Sequence, residues 1–511
     1  MLSRRAFLGG SSILLLSRCY ATASSERIPV ELVRRSTGNG LEVVNLGLPL
    51  PPGLLDDARR IRVLAPNGRE LPSVAREIEA WPLDASLRAA QVQTAIDFGD
   101  AQRLQIEIVT GELPEARRQL VPIEDTLLDP EGLTGPRVLP LLPAEWLCRS
   151  GVGGPQVPAA RSGAYAAYDA AVERNFPGSL RYVDSKVFST WLFDRPSTWY
   201  KQYVRTGDGK FLDAAYRAAN FVRLQTELEG PDAGIFKLKG RDLKYVYPQS
   251  MHLHSLLTGD PRARVAADRM ARFCLTRWDP WYRPERYTEP PVDVDPEQDR
   301  PFWTTRHAAI SLLGIAHGWE MSGDLAYLRT IYEHINALYT HQRRPPDGHA
   351  ADGSWRQNWA LYDPSETRLP GATSPWMTAI LVAALSHAWR ITSDPRIPDM
   401  IVRWCEFLDR KGFQPSGVPY YVVDCLGADS LPAPPGDPAE STSAHCMEIA
   451  YSLAMGIYFT RDPEQRSRFR RRFDDQLARA VTLNLNAPPR AYNWAFHASS
   501  ELVARLQSVD P

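Results

Sequence analysis

The sequence predicts a mainly helical α+β protein in which a small N-terminal β-barrel or sandwich precedes an (α/α)6 toroid. Three observations lead there. Residues 28–111 alternate apolar and polar side chains with period two. Further on, a short polar turn between two helical patterns recurs five times. The first helix of each pair is apolar almost all round, as a helix buried between two layers must be. A chain of 511 residues is also too long for one core, so two domains or a repeat architecture are expected.

Residues 1–23 stand apart from the fold and read as a twin-arginine export signal. Ser3-Arg4-Arg5-Ala6-Phe7-Leu8 is followed by the apolar run Ile13 to Leu16 and by Ala21-Thr22-Ala23, which has the small-x-small form of a cleavage site. The apolar run is far short of the ~20 residues that span a bilayer, and no later segment is long and apolar enough either. A periplasmic or secreted location follows as the expectation, with no membrane contact after the signal is removed. The formal net charge of −1 provides no field for gathering nucleic acid, so none is expected as a partner. No C-x-x-C, H-E-x-x-H or P-loop is present, and no cofactor or metal is expected. Five cysteines (Cys148, Cys274, Cys405, Cys425, Cys446) remain after residue 23. Pairing of Cys425 with Cys446 stays open, whereas Cys274 and Cys405 read as buried thiols on helices.

Ile28 to Val33, Leu41 to Leu46, Ile61 to Leu64, Ala89 to Phe98 and Leu104 to Val109 each read as strands. Gly38-Asn39-Gly40, Pro51-Pro52-Gly53 and the hairpin signal Asn67-Gly68 separate them. Within this region Gly47-Leu48-Pro49-Leu50-Pro51-Pro52-Gly53-Leu54, Ile61-Arg62-Val63-Leu64, Asn67-Gly68-Arg69-Glu70-Leu71-Pro72, Trp81-Pro82 and Ser86-Leu87-Arg88 resemble the small barrel of the exo-acting rhamnogalacturonan lyase-like proteins. In that family the barrel precedes an α/α toroid, usually with a β-sandwich between. This chain has only about 80 residues there. Residues 112–190, rich in Pro, Gly and Leu, read as a packed linker with one helix near Tyr165 to Arg174. The toroid is expected over residues 191–511.

The five turns are Thr206-Gly207-Asp208, Thr258-Gly259-Asp260, Ser322-Gly323-Asp324, Thr392-Ser393-Asp394 and Thr460-Arg461-Asp462, with their Asp residues 52, 64, 70 and 68 positions apart. Gly supplies a left-handed cap and Asp caps the next helix. Pro261, Pro395 and Pro463 follow at the first helical position, where no N–H is needed. Each unit is therefore an αα-hairpin. A sixth inner helix is expected over Trp494 to Leu506, with an outer partner before Asp194.

In such a toroid the starts of the inner helices line one face. Those starts carry Lys244-Tyr245-Val246-Tyr247, Trp303-Thr304-Thr305-Arg306-His307, Ser441 to His445 and Arg490-Ala491-Tyr492-Asn493-Trp494, and the loop before helix four carries Asp352 to Trp359. Aromatic faces stack on sugar rings, while Arg, Asn and Gln contact hydroxyls and carboxylates. The expected partner is a carbohydrate, acidic if the basic run Lys237 to Lys244 is a landing site and not a solvated loop. Elimination at a uronate needs a base, a neutraliser for the carboxylate and an acid for the leaving oxygen. Arg306, His307, Tyr245, Tyr247 and His445 are the expected catalytic set, and Lys244, Trp303, Trp355 and Asn493 the substrate contacts. By the resemblance, Arg306 and the Tyr245–Tyr247 segment fall on the family's inner-helix starts.

Two other functions remain open. An inverting glycoside hydrolase would use two carboxylates ~6.5–9.5 Å apart, for which Asp184, Asp194, Asp242, Asp352 and Glu448 are available. A non-catalytic glycan-binding protein of an exopolysaccharide system would keep the aromatics alone. His252, His254, His317, His334 and His387 read as core histidines, and His341 and His349 as surface ones. A zinc site from His307, His445 and Asp352 finds no support in their spacing.

Overall fold

The computed structural model describes residues 25–37, 40–182, 186–278, 304–345, 348–357, 371–433, 445–485 and 490–509. The export signal, Trp303 and Asp184 lie outside them.

The N-terminal domain is two antiparallel sheets. One has the order β4-β3-β7-β1-β8, from β1 (Arg27–Arg34), β3 (Ile61–Leu64), β4 (Glu70–Leu71), β7 (Arg103–Thr110) and β8 (Val138–Leu141). The other is β2-β6-β5, from β2 (Leu41–Pro49), β5 (Ser73–Ala80) and β6 (Leu87–Asp97). Neither sheet closes on itself among the described residues, so the sandwich alternative describes the domain. β5 was not expected, because Arg76, Glu77 and Glu79 break its alternation. β8 moves the domain boundary: it lies within the expected linker yet pairs with β1, Glu31 facing Leu141. In β1 the burial alternates with the pleat, but in β6 both faces are buried. The second face of β6 is covered by the helical domain.

Helix α1 (Ala144–Ser150) leads into α2 (Ala166–Ser179) and then the hairpins. The inner helices are α3 (Arg195–Thr206), α5 (Pro248–Thr258), α7 (Thr305–Ser322), α9 (Pro375–Thr392), α11 (Cys446–Phe459) and α13 (Arg490–Phe496). The outer ones are α4 (Gly209–Leu224), α6 (Pro261–Trp278), α8 (Leu325–Arg343), α10 (Arg396–Lys411) and α12 (Pro463–Ala480). Each inner helix packs on the next, and α13 returns to α3, so the six form a closed ring. The chain is thus a small β domain followed by an (α/α)6 toroid. Helix α2 is the outer partner of α13, so the ring takes in part of the expected linker.

The five turns lie between the paired helices. Gly207, Gly259, Gly323 and Ser393 all adopt left-handed conformations, and Asp208, Asp324 and Asp462 accept from backbone N–H groups of the next helix. The sixth inner helix departs from expectation. It stops at Phe496 and resumes as α14 (Leu502–Gln507). Ser499 and Ser500 between them bond back to carbonyls of Ala495 and His497, the local competition that interrupts helices. All five described cysteines are free thiols, so Cys425 and Cys446 are not paired. His341, expected at the surface, is buried on α8, whereas His349 is exposed.

The β domain covers the turn end of the ring. Asn45 donates to the carbonyl of Thr258 at 2.7 Å, and a Cβ at Gly47 would sit 2.2 Å from the carbonyl oxygen of Leu256. The starts of the inner helices therefore lie at the opposite end of the ring.

Candidate active site

At that end an aromatic stack joins five of the six inner-helix starts. Trp376, the second residue of α9, lies flat against His445, with ring centroids 4.7 Å apart and planes 10° apart. His445 meets Trp494 of α13 at 4.8 Å on its other side. Phe193, in the turn before α3, packs edge-on to both tryptophans. The Arg306 guanidinium of α7 stands over Trp376 at 5.2 Å, a cation–π geometry. All of these groups are buried among the described residues.

His445 is the best-prepared proton carrier of the expected set. Its Nδ1 is 2.6 Å from Glu448 Oε2, one helical turn further on. Burial pushes the Glu448 carboxyl up, against the opposing pull of His445. Nε2 of His445 has no hydrogen-bond partner among the described residues although the residue is 1% exposed. The indole N–H groups of Trp376 and Trp494 are likewise without partners among the described residues. Unsatisfied buried polar atoms are rare in native proteins, and a group of them needs a reason.

Arg306, His307 and Lys244 share one electrostatic neighbourhood. Thr304 caps α7, and its hydroxyl also meets His307 Nδ1 at 2.6 Å. Burial first, then Arg306 and Lys244, hold His307 well below the usual histidine range, so the ring is neutral and a weak base. Lys244 pairs with Asp242 at 3.2 Å. Burial, followed by the charge of Arg306, brings its ammonium down to about 8.

The other expected residues have different duties. The Tyr247 hydroxyl accepts from the N–H of Phe193 at 2.9 Å and donates to the carbonyl of Lys244. Burial raises its pKa well above the usual value. Tyr247 is thus a clamp between the starts of α3 and α5 and no base. Tyr245 sits between Phe188 and Phe236 in an apolar setting. Asn493 spends its amide N–H groups on the carbonyls of Thr190 and Leu192, bracing the chain before α3. Trp355 is in another place: it donates to Leu338 of α8 and packs against Trp404 of α10, in the outer layer. The loop that carries it folds between outer helices because its indole is large enough to fill that gap. In the basic run, Arg241 pairs with Asp232 and Lys239 lies over Phe188.

No protein-family model matches the chain, and no curated protein does. Among solved structures it is similar to the unsaturated glucuronyl hydrolase from Bacillus sp. GL1, at 16% identity and TM-score 0.42, over 66% of this chain and 97% of that one. It is similar to an unsaturated glucuronyl hydrolase specific for heparin at 11% identity and TM-score 0.45, over 68% and 97%. The GH76A α-1,6-mannanase from Salegentibacter sp. HEL1_6 follows at 12% identity and TM-score 0.40, over 64% and 89%. Scores of this size do not establish a shared fold, and the toroid rests on the closed ring of helix contacts.

One carboxylate gains weight from the structure. Phe193 and Asp194 are consecutive non-glycine residues with φ of 65° and 53°, a strained conformation that surrounding packing must hold. Burial raises the Asp194 carboxyl to about 7, against the opposing pull of hydrogen bonds from Ser197 and Ser250. With Tyr247, Gln249, His317 and His497 it lines a cavity of about 20 Å³ on the ring axis, room for about one water. Trp376 escaped the sequence reading. Its signal was Pro375 at the first position of an apolar helix, the same marker that opens α5 with Pro248.

Proposed function

We propose that the chain degrades an acidic glycan by β-elimination at a uronate, and that it acts in the periplasm or outside the cell. The observation that carries this reading is the His445–Glu448 pair, with Nδ1 held and Nε2 left bare between two indoles. In the proposed reaction Nε2 removes the C5 proton while Glu448 stabilises the imidazolium through Nδ1–H. The C4–O bond breaks, the C4–C5 double bond forms, and the imidazolium returns its proton to the departing oxygen. Arg306 and Lys244 neutralise the uronate carboxylate, which makes the C5 proton more acidic. Trp376 holds the His445 ring on one side and carries the Arg306 guanidinium over its indole, so it orients both groups.

A second reading is favoured by Asp194. A buried carboxyl raised to about 7 keeps about half its proton at neutral pH and suits the general acid of a glycoside hydrolase, with Glu448 as the second carboxylate. One experiment separates them. The purified protein is incubated with a panel of acidic and neutral glycans while the ultraviolet absorbance of unsaturated uronates is followed. A rise supports elimination. New reducing ends without a rise support hydrolysis, and neither product sinks both enzymatic readings in favour of a binding protein.

A further inference from the structure

At the end of the ring away from the candidate active site, three lone-pair atoms converge in the core. His252 Nδ1 of α5 lies 3.2 Å from His317 Nδ1 of α7, and His317 Nδ1 lies 3.4 Å from Glu320 Oε2 one turn along. The three ligand atoms all fall within 4.8 Å of one another. The edge of a tetrahedron around zinc with bonds of ~2.0–2.1 Å is about 3.3 Å. We infer that His252, His317 and Glu320 form a binding site for a divalent cation of the zinc type, which fastens the β domain to the toroid.

The surroundings support the three ligands as an outer shell would. His252 Nε2 is 3.0 Å from both oxygens of Glu79, which comes from β5 of the other domain. A carboxylate on the far nitrogen fixes the ring and makes Nδ1 a better donor of its lone pair. Glu320 Oε1 meets His387 Nε2 at 2.8 Å, and His387 Nδ1 in turn accepts from Arg390.

Counting protons shows what a cation would change. His252 holds its proton on Nε2 toward Glu79, and His387 holds its own on Nε2 toward Glu320. A single proton on His317 Nδ1 is then left to serve both His252 Nδ1 and Glu320. In that arrangement His317 Nε2 is bare, buried and without a partner among the described residues, which is costly. A cation at the three ligands moves this proton to Nε2. The ~20 Å³ cavity beside His317 then supplies room for a water to accept it.

Arg88 opposes the cation. It donates to Glu79 Oε1 at 3.0 Å and to Glu320 Oε2 at 3.1 Å, and Arg264 adds a second positive charge on Glu79. Competition for Glu320 Oε2 makes the expected affinity weaker than that of a closed structural zinc site.

The test uses the tag-free mature protein, stripped with a chelator and dialysed against zinc chloride or cobalt chloride. Uptake of one equivalent per chain is expected, with a higher thermal midpoint and, for cobalt, the intense visible band of four-coordinate geometry. Glu320→Gln and His317→Ala should lose that uptake, with circular dichroism confirming that they fold. Because a change in the core is able to unfold the chain, Glu79→Gln serves as the second variant. It only orients His252, and it should weaken binding ~10–100-fold. The proposal falls if the wild-type protein takes up neither cation, or if Glu320→Gln binds as tightly as wild type.

Discussion

His445 and Trp376 lie ring on ring, 4.7 Å between centroids and 10° between planes, although they come from different hairpins. The contact holds the imidazole in one orientation while Glu448 holds one of its nitrogens. Histidine 445 is therefore pre-positioned on three sides, by Trp376, Trp494 and Glu448.

If this pair performs the proton transfer, His445→Gln should lower kcat by ~10²–10⁴-fold, with the circular dichroism spectrum retained. Glu448→Gln should lower kcat less and shift the pH profile, because the imidazolium loses its counter-charge. Unchanged turnover in His445→Gln would remove His445 from the mechanism.

Arg306 is expected to act on the charge that develops in the reaction. Arg306→Ala should reduce turnover by ~10²–10³-fold while leaving the thermal midpoint nearly unchanged. Loss of stability with activity retained would make it a structural residue that only caps the Trp376 stack.

Asp194 supplies a pH signature. Its folded pKa of about 7 lies above the ordinary aspartate value of 3.8, so between those values the native state binds more protons than the unfolded one. Its contribution is complete below pH 3.8 and is lost as the pH rises toward 7. Asp194→Asn keeps an acceptor for the cap of α3 and removes the buried charge. Denaturant unfolding at pH 8 should find it more stable than wild type, and its stability should vary less between pH 4 and 7. Equal pH slopes for the two proteins would contradict the raised pKa.

At the domain contact, Gly47→Ala should destabilise the protein by about 1–3 kcal/mol, because the added Cβ would press on the carbonyl of Leu256. Urea unfolding measures this. Gly53→Ala is the contrast: it sits at a positive φ, unlike Gly47, and meets nothing within 4 Å, so its cost is backbone strain alone, whereas that of Gly47→Ala is the domain clash.

Local chemistry in the sequence was enough for the hairpins, the period-two strands and the two-domain order. A left-handed cap, an Asp N-cap and an apolar helix are decided by residues a few positions apart, so Gly207-Asp208 and Gly323-Asp324 are legible without coordinates. Strands β5 and β8 were not, because the ion pairs of Glu79 and the pairing of β8 with β1 rest on residues far away in sequence. The expected site divides the same way. Its location at the helix starts follows from the repeat, which brought Arg306, His307, Lys244 and His445 into view. Which of them has a bare nitrogen, which hydroxyl is already spent and which indole fills an outer-layer gap depend on neighbours from other hairpins. Packing of successive hairpins brings Trp376 against His445 and His252 against His317, and the closing of the ring brings Phe193 against Trp494, since burial and hydrogen bonding are set by what packs alongside.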